Sequence, residues 1–268
     1  MMLMIRNVQF LHQKTGHFYY LYKKNITMKV SETVENTINK FSFGYVFTYN
    51  DFNIGVACKE AAIKHLNRMV LSGKLVKLSK GKYYKPEQSK FGQIPASEYQ
   101  IVKDLLEQDG RIIGYITGFR AYNELGLTTQ VPNTIQIGTN KLKNPTKRGL
   151  YKIMFVTQNN NINRESIPLL RMLDAIKDIK KIPDAMIDDS ISIMADHISK
   201  LSKEELQNIK RLSIKYTPVT RALLGAIIEM IYSIENTQPL YTSLNHITKY
   251  KLGASLAALP TKEKWNII

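Results

Sequence analysis

Six cations at two spacings are the residues of this sequence best suited to chemistry, and that chemistry is the neutralisation of phosphate. Lys59, Lys64 and Arg68 fall in the run Val56 to Ser72, whose apolar residues Ile63, Leu66, Met69 and Val70 share one helical face, with Gly73 as its stop. With Leu66 at the centre of the buried face, a rotation of about 100° per residue sends Ala57, Lys64 and Arg68 to the opposite side, flanked by Glu60, Ala61 and Leu71. A helix that enters a DNA groove needs such a face: cations for phosphate, and small residues that let the backbone approach. Arg68 is the better base reader, because its planar fork pairs bidentately with guanine, while Glu60 could accept from cytosine. The same wheel puts Lys59 on the inward face, near the N-terminal end, where a side chain still reaches DNA. His65 is either a phosphate contact or an exposed helix histidine. Lys77, Lys80 and Lys82 follow in an alternating stretch about Lys80-Gly81, two short strands and a two-residue glycine turn that predict a hairpin. Such a hairpin suits the DNA backbone or minor groove; the plainer alternative is that its lysines keep a strand edge soluble.

Other constellations are poor. The five histidines (His12, His17, His65, His197, His246) form no i, i+4 pair and no metal motif with an acid. Gly114-Tyr115-Ile116-Thr117-Gly118 resembles a phosphate loop only faintly, lacks a following Gly-Lys-Ser/Thr, and reads as a turn joining strand to helix. Asp188, Asp189 and Asp196 read as a solvated face, and Cys58, beside Lys59, as a small buried residue. No catalytic residue, metal or cofactor is expected, and the chain is not expected to be an enzyme.

The elements that must position the six cations follow from composition and pattern. The chain has 268 residues, 38 Lys and Arg against 22 Asp and Glu (net +16), and 44% hydrophobic residues. That share excludes disorder and collagen-like repeats, and the length suffices for two compact units. Residues 1–90 carry +10 of the charge, 91–180 carry +4 and 181–268 carry +2. Such asymmetry is the footprint of a nucleic-acid-binding module joined to a more neutral partner. A single cysteine permits no internal disulfide and fits a reducing compartment. The most apolar run, Val219 to Ile234, is broken by Arg221 and Glu229, and Met1 to Ile5 is too short for a signal-peptide core, so a cytoplasmic protein without a membrane span is expected.

Along the chain, residues 1–27 lack a period and read as a loose arm, or as sequence preceding a natural start at Met28. Ser31 is placed to cap a helix carrying Val34, Ile38 and Phe41. Gly44 to Phe47 is β-prone, and Thr48 can cap a brief helix ahead of the Val56 helix and the hairpin. Helix, short strand, short helix, longer helix and hairpin, in that order, predict a winged helix-turn-helix over residues 28–89. Lys90 to Pro95 has linker composition. Residues 90–268 then predict a second domain: a helix from Ser97, a β-rich stretch from Arg111 to Gln158 with a basic loop at Lys141, Lys143, Lys147 and Arg148, and helices to the end, the last over Leu240 to Thr248. The fold class expected is α+β with a helical C-terminal part.

Three segments carry a family resemblance: Gly73 to Tyr84 (GKLVKLSKGKYY), Gly114 to Gly118 (GYITG), and Ala121 to Pro132 (AYNELGLTTQVP). They resemble the AbiEi-type antitoxins of bacterial abortive-infection toxin–antitoxin operons, and Leu173 to Pro183 (LDAIKDIKKIP) is similar to the helix that follows in that family. The resemblance covers roughly residues 29 to 185. It implies an N-terminal winged helix that binds double-stranded DNA and represses its own operon, and a C-terminal antitoxin domain. The implied functional partner is a nucleotidyltransferase-like toxin, countered in many such systems without a stable complex. By position the DNA-binding role falls on Lys59, Lys64, Arg68, Lys77, Lys80 and Lys82. The wing has lysines where arginines are common, which implies weaker base reading, and no Ser or Asp cap precedes Val56. The alternatives are an antitoxin that binds its toxin directly with the winged helix as scaffold, an enzyme acting on nucleic acid, and an RNA binder using the Lys141 to Arg148 loop, which lacks stacking aromatics. The sequence shows no dimerisation motif.

Overall fold

The computed structural model describes residues 29–232 and 237–268, so the arm at 1–27 and the start at Met28 lie outside the described residues. The chain divides into two compact units between Ile101 and Val102.

In the first unit, helix α1 covers 29–40 and buries Val30, Val34 and Ile38, four residues apart along one stripe. Val30 extends that stripe upstream, so Ser31 lies inside the helix and not at its cap. Strand β1 (Val46–Phe47) leads to a 3-10 turn, Tyr49–Asp51. Thr48 and Asp51 fix that turn with a capping box: the Asp51 carboxylate accepts from the Thr48 amide at 2.7 Å. Helix α2 (Lys59–Leu71) is preceded by another 3-10 turn, Val56–Cys58, whose N-cap, Gly55, offers no side chain to hold the first amides. Strands β2 (Val76–Ser79) and β3 (Lys82–Tyr84) form a hairpin, with Gly81 at φ +75° in the turn. The sheet order is β1-β3-β2, antiparallel throughout. Its core is aromatic: Phe47 and Tyr83 pack with Phe52, Leu66 and the α1 stripe.

The stretch read as a linker is instead part of a second hairpin, β4 (Glu87–Ser89) and β5 (Gly92–Ile94). Its turn is closed by the Ser89 hydroxyl, which donates to the Gly92 carbonyl (2.8 Å) and accepts from the Phe91 amide (3.2 Å). Composition alone hid it, because every residue of both strands is exposed and no apolar alternation marks them.

Helix α3 (Glu98–Leu106) spans the division; the Ser97 hydroxyl accepts from the Gln100 amide at 3.4 Å. The second unit then has a small hairpin, β6 (Glu107–Gln108) and β7 (Arg111–Ile112). Next come β8 (Gly114–Thr117), α4 (Phe119–Glu124), β9 (Thr134–Thr139), β10 (Thr146–Arg148) and β11 (Tyr151–Thr157). Their sheet has the order β10-β11-β9-β8, with β9 and β11 parallel and the other pairs antiparallel. Gly114 to Thr117 is therefore a full strand paired with β9, and only Gly118, at φ +67°, makes the turn into α4.

Helices α5 (Ser166–Asp178), α6 (Ile187–Ser199), α7 (Lys203–Ser213) and α8 (Pro218–Ile231) pack around an aliphatic core that includes Leu173, Ile176, Ile191, Leu224 and Ile227. The last expected helix is cut to α9 (Gln238–Thr242), because the Ser243 hydroxyl donates to the Leu240 carbonyl and Asn245 opens a separate turn. The chain ends without further helix. Tyr250 bridges Ile267, and the Trp265 indole lies against Gly225 of α8, where a Cβ would overlap it. The fold is α+β with a helical C-terminal part, and no described helix is long and apolar enough to cross a membrane.

Candidate nucleic-acid interface

Helix α2 is amphipathic: Ala62, Leu66 and Met69 are buried, while Ala57, Glu60, Lys64, Arg68 and Leu71 are exposed at or just before the helix. Lys64 and Arg68 thus lie where the wheel puts them. Lys59 does not: it is exposed, with Nζ 4.3 Å from the centroid of the Tyr49 ring. The wheel gives only the rotation of a residue about the axis, whereas at this helix start the Lys59 side chain lies over the Tyr49 ring of the preceding 3-10 turn. His65 is the opposite correction. Its side chain is only 12% exposed and its Nε2 lies 3.1 Å from Glu35 Oε1 of α1, at ion-pair distance but without hydrogen-bond geometry. Burial lowers the imidazole pKa against the opposing pull of Glu35, and the ring packs between α1 and α2 instead of standing exposed.

In the hairpin, Lys77 and Lys80 are exposed and Lys82 is half-buried, while Leu78, Tyr83 and Tyr84 are buried. The pairing shifts register between Lys77 and Ser79, a bulge that re-aims the strand just before the turn. The Tyr83 ring joins the core, where burial raises its hydroxyl pKa, and that hydroxyl donates to Asn67 Oδ1 at 3.3 Å. Asn67 precedes Arg68, so this bond ties the base of the hairpin to the cation-bearing helix. Sequence reasoning missed Asn67. Its only signal was a polar residue beside the buried face. All six cations therefore lie on two consecutive elements that share one core.

The second unit corrects the basic loop. Thr146–Arg148 is strand β10, and Arg148 is buried, with its guanidinium on Asp104 at 2.5 and 2.9 Å. Arg148 is consumed by a bidentate ion pair, and Lys143 leans over the Phe155 ring at 5.7 Å. The more notable polar cluster is one the sequence reading did not find. Asp174 of α5 is buried, and its Oδ2 accepts from the Tyr115 and Thr117 hydroxyls, both at 2.7 Å. Its Oδ1 accepts from Tyr216 at 2.8 Å. Gln158 Nε2 donates to both tyrosine oxygens at 2.9 and 2.8 Å, and Gly138 leaves the space in which the Tyr115 ring lies. Burial raises the Asp174 pKa, and the three hydroxyls oppose it. A cavity of about 130 Å³ adjoins the cluster, with Lys177, Lys215 and Thr217 in its wall. Among the described residues, no group of three His, Cys, Asp or Glu is placed to hold a metal ion.

A family model described as "Family of unknown function (DUF6088)" matches residues 33–232. No curated protein matches the chain. Among solved structures, the crystal structure of the RV2827C protein from Mycobacterium tuberculosis is similar, with a TM-score of 0.59 and 13% identity. The similarity covers 89% of this chain and 90% of that one, and at this identity it shows a shared fold.

Proposed function

The chain belongs to the DUF6088 family, a family of unknown function, and within it we propose that this protein is a DNA-binding transcriptional repressor and antitoxin of a bacterial toxin–antitoxin operon. In this reading residues 28–89 are a winged helix-turn-helix, with α2 as the recognition helix and β2–β3 as the wing. The observation that carries it is the helix α2 presenting Lys64 and Arg68 outward from a core shared with a lysine-tipped hairpin. Cations on both elements displace counterions from phosphate, α2 reads the major groove through Arg68, and bound protein blocks transcription. The antitoxin role, and a nucleotidyltransferase-like toxin as the functional partner, rest on the resemblance to AbiEi-type antitoxins.

The test is a salt-titrated gel shift on the DNA upstream of the gene, against scrambled DNA of equal length. Six phosphate contacts give a log–log salt slope of about −5, with tighter binding to the upstream sequence. Equal, weak binding to both DNAs rejects the repressor.

A further inference from the structure

The first unit carries an exposed aromatic knob and a groove with mixed apolar and polar walls, and both spring from one end of its three-stranded sheet. The turn Lys80-Gly81 marks the other end. Tyr84, at the far end of β3, pairs with Val46 at the start of β1, and the Gly44 amide donates to the Lys85 carbonyl (2.9 Å) just beyond. From there β4–β5 departs, with Phe91 in its turn 100% exposed. Its base is held: Ala96 is buried and packs at Gly44, and the Val46 amide donates to Gln100 Oε1 at 3.3 Å. At this same end lies a groove of about 170 Å³ lined by Phe43, Tyr45, Glu87, Ile94, Pro95 and Gln100. Phe43 and Ile94 are themselves 58% and 44% exposed.

We propose that this end of the first unit is a self-association surface, on which Phe91 of one copy enters the groove of a second copy and receives that copy's Phe91 in return. Two observations select a second copy as the occupant. The charges match, since Lys90 adjoins the knob and Glu87 lines the groove, so each inserted ring carries a cation to a carboxylate. Finally, knob and groove occur on the same surface, which is the condition for a closed two-fold pair in which each contact is made twice. The Lys80-Gly81 turn, at the other end of the sheet, stays outside the contact. The contact needs no DNA.

Sedimentation velocity of the full chain across a concentration series tests it. The wild-type chain sediments as a concentration-dependent dimer, and Phe91→Asp weakens association about 100-fold or more. That variant changes a fully exposed turn residue, so an unaltered melting profile separates lost association from lost folding. Lys90→Glu and Glu87→Lys each weaken the dimer, and the double variant recovers it. A wild-type chain that stays monomeric up to its solubility limit overturns the proposal. So does a dimer indifferent to Phe91→Asp, or charge variants whose combination fails to recover association. A gel shift on the same samples reports DNA binding separately.

Discussion

Arg68 on α2 and Asp174 on α5 are both charged residues on helices with an apolar face, and the two units treat them in opposite ways. Arg68 is exposed, whereas Asp174 is buried under three hydroxyl donors. The first unit turns its cations outward from a small aromatic core. The second turns polar groups inward and encloses them in a large aliphatic one. Total charge does not separate them: residues 29–101 carry a net +5 and 102–268 a net +7. Four further cations fall in residues 1–28, outside the described residues. What distinguishes the units is what each charge touches. A solvated cation leaves folding nearly unchanged and remains available to a partner, while a buried carboxylate is committed to the fold.

The largest effect expected from that contrast is at Asp174. Asp174→Ala leaves the buried Tyr115 and Thr117 hydroxyls without their acceptor and the half-buried Tyr216 hydroxyl with only the Leu170 carbonyl at 3.4 Å, and costs about 3–5 kcal/mol of stability, read by denaturant unfolding. The pH dependence has a definite sign. The folded-state pKa is raised, so folding takes up a proton between the ordinary carboxylate range and the raised value. This group's contribution to stability is therefore greatest at low pH and falls as pH rises through that window. The Ala variant loses that slope. A variant that weakens DNA binding while leaving unfolding unchanged would break the division between the units.

Arg68→Ala and Lys80→Ala come next, and they test the outward half. Arg68→Ala costs about 1–3 kcal/mol of preference for the upstream sequence. Lys80→Ala weakens every DNA alike and lowers the salt slope by about 1. Both keep unfolding free energy within about 0.5 kcal/mol of wild type. Equal losses on specific and random DNA for the two variants would remove the distinction between reading and anchoring. Asn67→Ala is smaller and mixed. It removes the hydrogen bond from Tyr83 at a cost of about 1 kcal/mol, and it loosens the hairpin against α2, so DNA affinity falls although no phosphate contact is deleted.

The difference between the units also marks how far the sequence could be read. Lys64, Arg68 and the Lys80-Gly81 turn were legible because local periodicity decides them: an apolar stripe fixes a helix face, and a glycine between alternating residues fixes a hairpin. Lys59 failed because a wheel encodes rotation and not which neighbours are present. The β4–β5 hairpin was hidden by the lack of any buried strand residue. Arg148 and Asp174 were illegible for a different reason. Asp104 is 44 residues from Arg148, and the hydroxyl partners of Asp174 are 42 to 59 residues away, so the pairs exist only once the chain has folded. Periodicity therefore finds surfaces turned outward, and it misses polar groups turned inward.

His65 supplies the smallest and most exacting test, because it is an inward-facing group in the outward-facing unit. Burial lowers its pKa more than Glu35 raises it. Folding therefore releases a proton between the lowered value and the ordinary value of 6.5. The contribution of His65 is fully present above pH 6.5 and declines as pH falls through that window, opposite in sign to that of Asp174. The effect is modest, since half-exposed Glu35 stands at 3.1 Å and partly offsets the charge gained. His65→Gln keeps a polar side chain there and abolishes the titration, so its unfolding free energy loses this decline between neutral and mildly acidic pH. Its DNA affinity at neutral pH stays at the wild-type value, because the ring faces α1. A fall in affinity with unchanged stability would return His65 to the phosphate-facing side of α2, and the first unit would then have no titratable group turned inward on that helix.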